Sequence, residues 1–135
     1  MRPIRIFVVD DHEVVRMGLR ALCASRPDTL ICGEASSGEE VICTLEEYAP
    51  DLVILDISLR GVMNGFEVAR EIRTSAPQVK IIIYSLHEIP FSARKAGADT
   101  FVAKSSGIAL LRAAIERVIS QPQSHISPWL PLVLL

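Results

Sequence analysis

The sequence predicts an α/β fold, a doubly wound five-stranded parallel sheet covered by helices on both faces. Three observations carry that reading. Short β-branched runs alternate strictly with segments of helical period. One run, Asp51-Leu52-Val53-Ile54-Leu55-Asp56, is continuously apolar between carboxylates, as in a strand buried on both faces of a parallel sheet. A chain of 135 residues, 50% hydrophobic, has ample apolar mass for one domain and too little length for two.

Ile4 to Val9 forms the first strand, closed by Asp10 and Asp11. Val15, Leu19, Leu22 and Cys23 then share one face of a helix from about Glu13 to Ser25, stopped ahead of Pro27. Thr29 to Glu34 reads as the second strand. Ser37-Gly38-Glu39-Glu40 has the spacing of a capping box, in which the Ser37 hydroxyl takes a free backbone N–H and Glu40 reaches back, opening a helix to about Tyr48. After the third strand, a glycine-containing loop from Ile57 to Gly65 leads to a helix from about Phe66 to Ser75, stopped by Pro77. Val79 to Ser85 is the fourth strand, and Pro90 to Ala96 leaves room only for a short fourth helix before Gly97. Asp99 to Ala103 is the fifth strand, and Ile108, Leu111, Ile115, Val118 and Ile119 mark the last helix. Strands joined by helices run parallel through right-handed crossovers, which makes the sheet doubly wound. The expected division is one domain at residues 1–120, then a linker and apolar tail at 121–135, with no further domain.

Composition narrows the function. The formal net charge of -2 and the absence of a like-charge run provide no basic field for a phosphate backbone, so no direct nucleic-acid contact is expected. The apolar runs at Ile4–Val9 and Leu132–Leu135 fall far below the roughly 20 residues of a bilayer span, so no membrane association is expected. Cys23, Cys32 and Cys43 are odd in number and spaced for neither a metal pair nor a disulfide framework. They read as small buried hydrophobes in a reducing cytoplasm.

In doubly wound sheets ligands bind beyond the carboxyl ends of the strands, where strand order reverses. Strand one ends in Asp10-Asp11, strand three in Asp56, strand four in Ser85 and strand five in Lys104, whereas strand two ends without such a group. That asymmetry fits the order 2-1-3-4-5, with strand two at an edge. Three clustered carboxylates repel one another and ask for a divalent cation, and an oxygen donor set suits Mg²⁺. One carboxylate could then attack a phosphorus centre, the resulting aspartyl phosphate being neutralised by the metal and Lys104, with Ser85 donating a hydrogen bond. His12 reads as the cap of the first helix rather than a ligand, and with His125 in the tail no histidine metal cluster is expected.

Four segments together resemble the receiver domain of two-component response regulators over roughly residues 4 to 120. They are Val8-Val9-Asp10-Asp11-His12, Asp51-Leu52-Val53-Ile54-Leu55-Asp56, Tyr84-Ser85-Leu86-His87, and Ala96-Gly97-Ala98-Asp99-Thr100-Phe101-Val102-Ala103-Lys104. The likeness is strongest to the branch usually joined to a helix-turn-helix output domain. It implies a flavodoxin-like fold and a phosphoryl group accepted on Asp56 from a histidine kinase or phosphotransfer protein. Asp10, Asp11, Asp56 and the backbone carbonyl of Ser58 would hold Mg²⁺, and Lys104 and Ser85 would contact the phosphoryl oxygens. By the same resemblance Ser85 and Phe101 form the switch, and Ser58 and His87 tune loss of the phosphoryl group, His87 from an exposed position.

The sequence departs from the family in two places. The loop after Asp56 lacks the usual proline at Arg60 and carries one extra residue before the glycine, which predicts a looser loop beside Asp56. The Ser85–Gly97 stretch is about a helical turn short, on a face used for dimers and partners. The implied role is a phosphorylation-dependent switch that makes and breaks its own acyl phosphate without turning over a metabolite, and that docks to a downstream protein or forms a homodimer. Two alternatives stay open: a receiver-like module acting without phosphorylation, and a phosphatase with an Asp nucleophile. The phosphatase would want a second Asp two residues after the nucleophile, where Ser58 stands.

Overall fold

The computed structural model describes residues 2–87 and 90–120, so the expected linker and tail at 121–135 lie outside the described residues. Five strands, β1 (Ile4–Val9), β2 (Thr29–Ala35), β3 (Leu52–Leu55), β4 (Lys80–Ser85) and β5 (Thr100–Ala103), alternate with five helices. The helices are α1 (Glu13–Ala24), α2 (Gly38–Tyr48), α3 (Gly65–Ser75), α4 (Pro90–Lys95) and α5 (Ile108–Ser120). The strands pair in the order β2-β1-β3-β4-β5, every pair parallel. At six residues α4 is the short helix expected from the sequence.

Side chains alternate across the sheet and divide the core into two layers. Phe7, Val9, Val53, Leu55, Ile81 and Ile83 pack with α2, α3 and α4, whereas Ile6, Val8, Leu52, Ile54, Ile82 and Val102 pack with α1 and α5. All four residues of β3 are buried, which is why that strand carries no polar residue between its bounding aspartates. β2 is an edge strand, so Cys32 is half-buried there, and Cys43 is exposed on α2, correcting the expectation that all three cysteines are buried. Only Cys23 is fully buried, and burial pushes its thiol and that of Cys32 up toward the unreactive protonated form.

Polar ties fix the end of the sheet opposite Asp10 and Asp56. At the end away from the aspartates, Arg2 grips Asp51 with two hydrogen bonds of 2.6 and 3.0 Å, and the Arg5 guanidinium caps the Tyr48 carbonyl at the end of α2. At the same end Arg73 of α3 donates to the carbonyls of Gly97, Pro77 and Val79 and to Asp99, joining the end of α3 to the starts of β4 and β5.

Candidate functional site

Register assembles the site. Val9 pairs with Leu55, so Asp10 and Asp56, the next residue on each strand, emerge side by side. Ser85 pairs with Ala103, which brings Lys104 to the same end. Asp10 is 2%, Asp56 4% and Ser85 0% exposed.

The Lys104 ammonium lies 2.7 Å from Asp10 Oδ2 and 3.2 Å from Asp56 Oδ2, with only 9% of its side chain exposed. Burial is the largest single influence on this amine and would lower its pKa, but the hydrogen bond to Asp10 and the charges of Asp56 and Asp10 outweigh it. Lys104 is thereby held above the ordinary lysine range and stays a cation. The Tyr84 ring stands beneath it, its centroid 5.8 Å from Nζ.

One donor atom from each of Asp10, Asp11, His12 and Asp56 lies within 4.8 Å of all the others. Asp11 Oδ1 is buried and accepts no hydrogen bond from the described residues, a costly condition for an anionic oxygen. A hard dication fits this set, since it would satisfy that oxygen and relieve the mutual repulsion of the carboxylates.

The remaining expected residues also gather here. The Ser85 hydroxyl accepts a hydrogen bond from the His87 backbone N–H at 3.2 Å. His87 is exposed, as expected, and its Nε2 lies 3.1 Å from the Ser58 hydroxyl, so the two residues that the resemblance associates with phosphoryl loss touch each other. Phe101 is half-buried, paired with Ile83 and packed against the α2–α3–α4 layer on the same sheet face as Ser85.

Three local readings need correction. His12 occupies the N-cap position of α1, but its side chain makes no capping hydrogen bond, because the ring turns toward the aspartates, with Nδ1 3.1 Å from Asp10 Oδ1 and 3.0 Å from Asp11 Oδ1. The capping box expected at Ser37 is half formed: the Glu40 N–H reaches the Ser37 hydroxyl, but the Glu40 carboxylate turns to the hydroxyls of Ser36 and Ser37. A complete box stands instead at Asn64 and Glu67, opening α3. The loop after Asp56 is held rather than loosened. Glu39 accepts hydrogen bonds from the N–H groups of Val62 and Met63, at 2.9 and 3.1 Å, and the Gly65 N–H closes the loop base onto the Ile57 carbonyl at 2.8 Å.

The profile of the response regulator receiver domain matches residues 6–116. The chain belongs to the response regulator receiver family. Among curated relatives, the response regulator GacA of Pseudomonas viridiflava is 36% identical over 93% of this chain and 59% of its own length. The nitrate/nitrite response regulator protein NarL of Escherichia coli K12 is 36% identical over 76% of this chain and 48% of its own. The chain thus spans about half to three-fifths of the length of these relatives. Among solved structures, a LuxR-family two-component response regulator from Aurantimonas sp. SI85-9A1 matches with a TM-score of 0.82 at 36% identity, over 93% of this chain and 91% of that one. The response regulator domain of Thermotoga maritima CheB matches with a TM-score of 0.76 at 29% identity, over 90% and 100%.

These relatives are signalling regulators rather than metabolic enzymes, which speaks against the phosphatase alternative. Among the described residues of this receiver, no helix is long and apolar enough to cross a membrane.

Proposed function

We propose that this receiver accepts a phosphoryl group on Asp56 from a histidine kinase or phosphotransfer protein and relays its state by docking to another protein. The observation that carries the reading is the Lys104 ammonium shared between Asp10 and Asp56 at the rim of the carboxylate cluster. An Asp56 carboxylate oxygen attacks phosphorus, the P–N bond of the donor phosphohistidine breaks, and the imidazole departs with the electron pair and takes a proton from water. Asp10, Asp11, Asp56 and the Ser58 backbone carbonyl would hold Mg²⁺, which when bound would neutralise charge on the phosphoryl oxygens.

The chain's own groups do the rest. Lys104, already a cation against Asp56, follows the charge as it moves onto the phosphoryl oxygens. The Ser85 oxygen accepts from the His87 N–H, and its hydroxyl turns its own proton toward the same oxygens. Its rotation opens space on the sheet face that Phe101 shares, and the ring swings inward. The Ser58–His87 contact meters water entering to hydrolyse the acyl phosphate, so the residue pair sets the lifetime of the signal.

The receiver unit spans residues 1–120. The output is protein docking or a homodimer, with no direct contact to nucleic acid. A second reading, a module that docks without phosphorylation, is favoured by the six-residue α4. Acetyl phosphate with Mg²⁺, read by intact mass, separates the two. We expect a Mg²⁺-dependent gain of one phosphoryl group that is absent in Asp56→Asn. A folded native chain that gains nothing establishes the second reading.

A further inference from the structure

His12 stands outside the reading just given. At an N-cap, a side chain ordinarily accepts a hydrogen bond from an amide of the first turn. The His12 ring does not, and its Nδ1 sits instead 3.1 Å from Asp10 Oδ1 and 3.0 Å from Asp11 Oδ1. Only the Asp10 contact has hydrogen-bond geometry, and Asp11 Oδ1 accepts no hydrogen bond among the described residues. A hydrogen-bonding role therefore explains half of the ring's placement.

Coordination explains all of it. Two metal–ligand bonds of about 2.1 Å at right angles hold their donor atoms about 3.0 Å apart. Nδ1 thus stands one octahedral edge from each carboxylate oxygen. The Asp10 and Asp11 oxygens are hard donors, and a purely oxygen set suits Mg²⁺, whereas an imidazole nitrogen moves the preference toward first-row transition ions. The ring is 59% exposed, so it meets an ion arriving from solvent without first breaking a buried contact.

Resting on the metal site of the proposed function, we propose that His12 Nδ1 is a nitrogen donor to that site, so that this receiver binds Mn²⁺ in preference to Mg²⁺. The test compares native protein with His12→Ser and His12→Asn. Both replacements are strong N-cap residues, so α1 keeps its start. Mn²⁺ and Mg²⁺ affinities are measured by titration calorimetry in a mildly alkaline buffer, and pulsed electron paramagnetic resonance of bound Mn²⁺ reads imidazole-nitrogen coupling.

The native chain is expected to bind Mn²⁺ about tenfold more tightly than Mg²⁺ and to show that coupling. His12→Ser should lose about tenfold in Mn²⁺ affinity, hold Mg²⁺ affinity within about twofold, and lose the coupling. His12→Asn, which offers an oxygen in nearly the same place, should not restore the coupling. Two results overturn the assignment: native protein without nitrogen coupling, or a His12→Ser variant that weakens both ions equally, which would make His12 only a hydrogen-bond partner of Asp10. If the native chain gains phosphoryl mass in Mg²⁺ but shows no nitrogen coupling, the His12 assignment alone fails. If it binds neither ion, the metal site itself fails with it.

Discussion

Replacing Gly65 by alanine probes how closely α3 is pressed against the acceptor strand. A Cβ on Gly65 would stand 2.1 Å from the Asp56 carbonyl oxygen and 2.6 Å from the Ile57 Cα. Ordinary contact begins at 3.4 Å, so one backbone segment must retreat by 3.4 minus 2.1, or 1.3 Å. Neither atom is the tip of a flexible side chain. Overpacking a core costs about 1–3 kcal/mol, and rigid backbone on both sides puts this case near 3. Against that stands roughly 0.5–1 kcal/mol gained by removing a glycine from a helix. The net is a loss of about 2 kcal/mol, roughly 6–12 °C in Tm for a domain of this size.

Gly18→Ala is the matched control. Gly18 lies exposed inside α1 with nothing within 4 Å of its virtual Cβ, so the same substitution there should stabilise by about 1 kcal/mol. Urea melts followed by circular dichroism read both variants. Phosphoryl uptake from acetyl phosphate is measured alongside, because the retreat falls on the residue that carries the acceptor. A Gly65→Ala protein as stable as native, or two glycine variants that shift in the same direction, refutes the reasoning.

Lys104→Met leaves Asp10 and Asp56 buried without their cation and should cost about 3 kcal/mol in urea melts, part of it recovered by added Mg²⁺. Asp51 has a pKa below its ordinary value: burial, the largest influence, would raise it, but hydrogen bonds from Arg2 and the Arg5 amide outweigh burial. Its contribution to stability is therefore present above the unfolded aspartate value near 3.8 and is lost as pH falls through the folded one. Asp51→Asn should lower the urea midpoint at neutral pH, and the gap to native should close in acid. Lys104 has the opposite sign, its pKa being raised, so its stabilisation persists below the unfolded lysine value near 10.5 and is lost as pH rises through the folded one. Glu39→Ala removes the acceptor of the Val62 and Met63 amides, whose hydrogen exchange should accelerate at least tenfold while amides in β3 are unchanged.

The alternation of elements was legible because burial is written directly into strand composition: Leu52 to Leu55 has no polar residue, and all four are buried. The site was legible for a related reason, since a parallel sheet brings strand ends together and Asp10, Asp56, Ser85 and Lys104 each follow or close an apolar run. What stayed hidden depends on side-chain direction or on reach across the fold. Nothing in Asp-Asp-His says that the ring turns back to the aspartates instead of capping α1. Glu39 meets Val62 and Met63 across more than twenty positions, and no local pattern marks that contact. The Asn64–Glu67 box could have been found, because Asn-x-x-Glu before an apolar helix is its spacing, but the glycine at 65 made the segment read as loop.

The hydrogen bond from Gly65 to Ile57 also defines a place for engineering. It seals the base of the β3–α3 connection, while the crest at Val62, 91% exposed, faces open water. Chain spliced in at that crest lengthens a circuit whose ends are already soldered, at an entropic cost that grows by only about 0.6 kcal/mol for each doubling of length. An epitope or a fluorescent peptide grafted there would sit within sight of Asp56 without being wired to it, a reporter that watches the acceptor from outside.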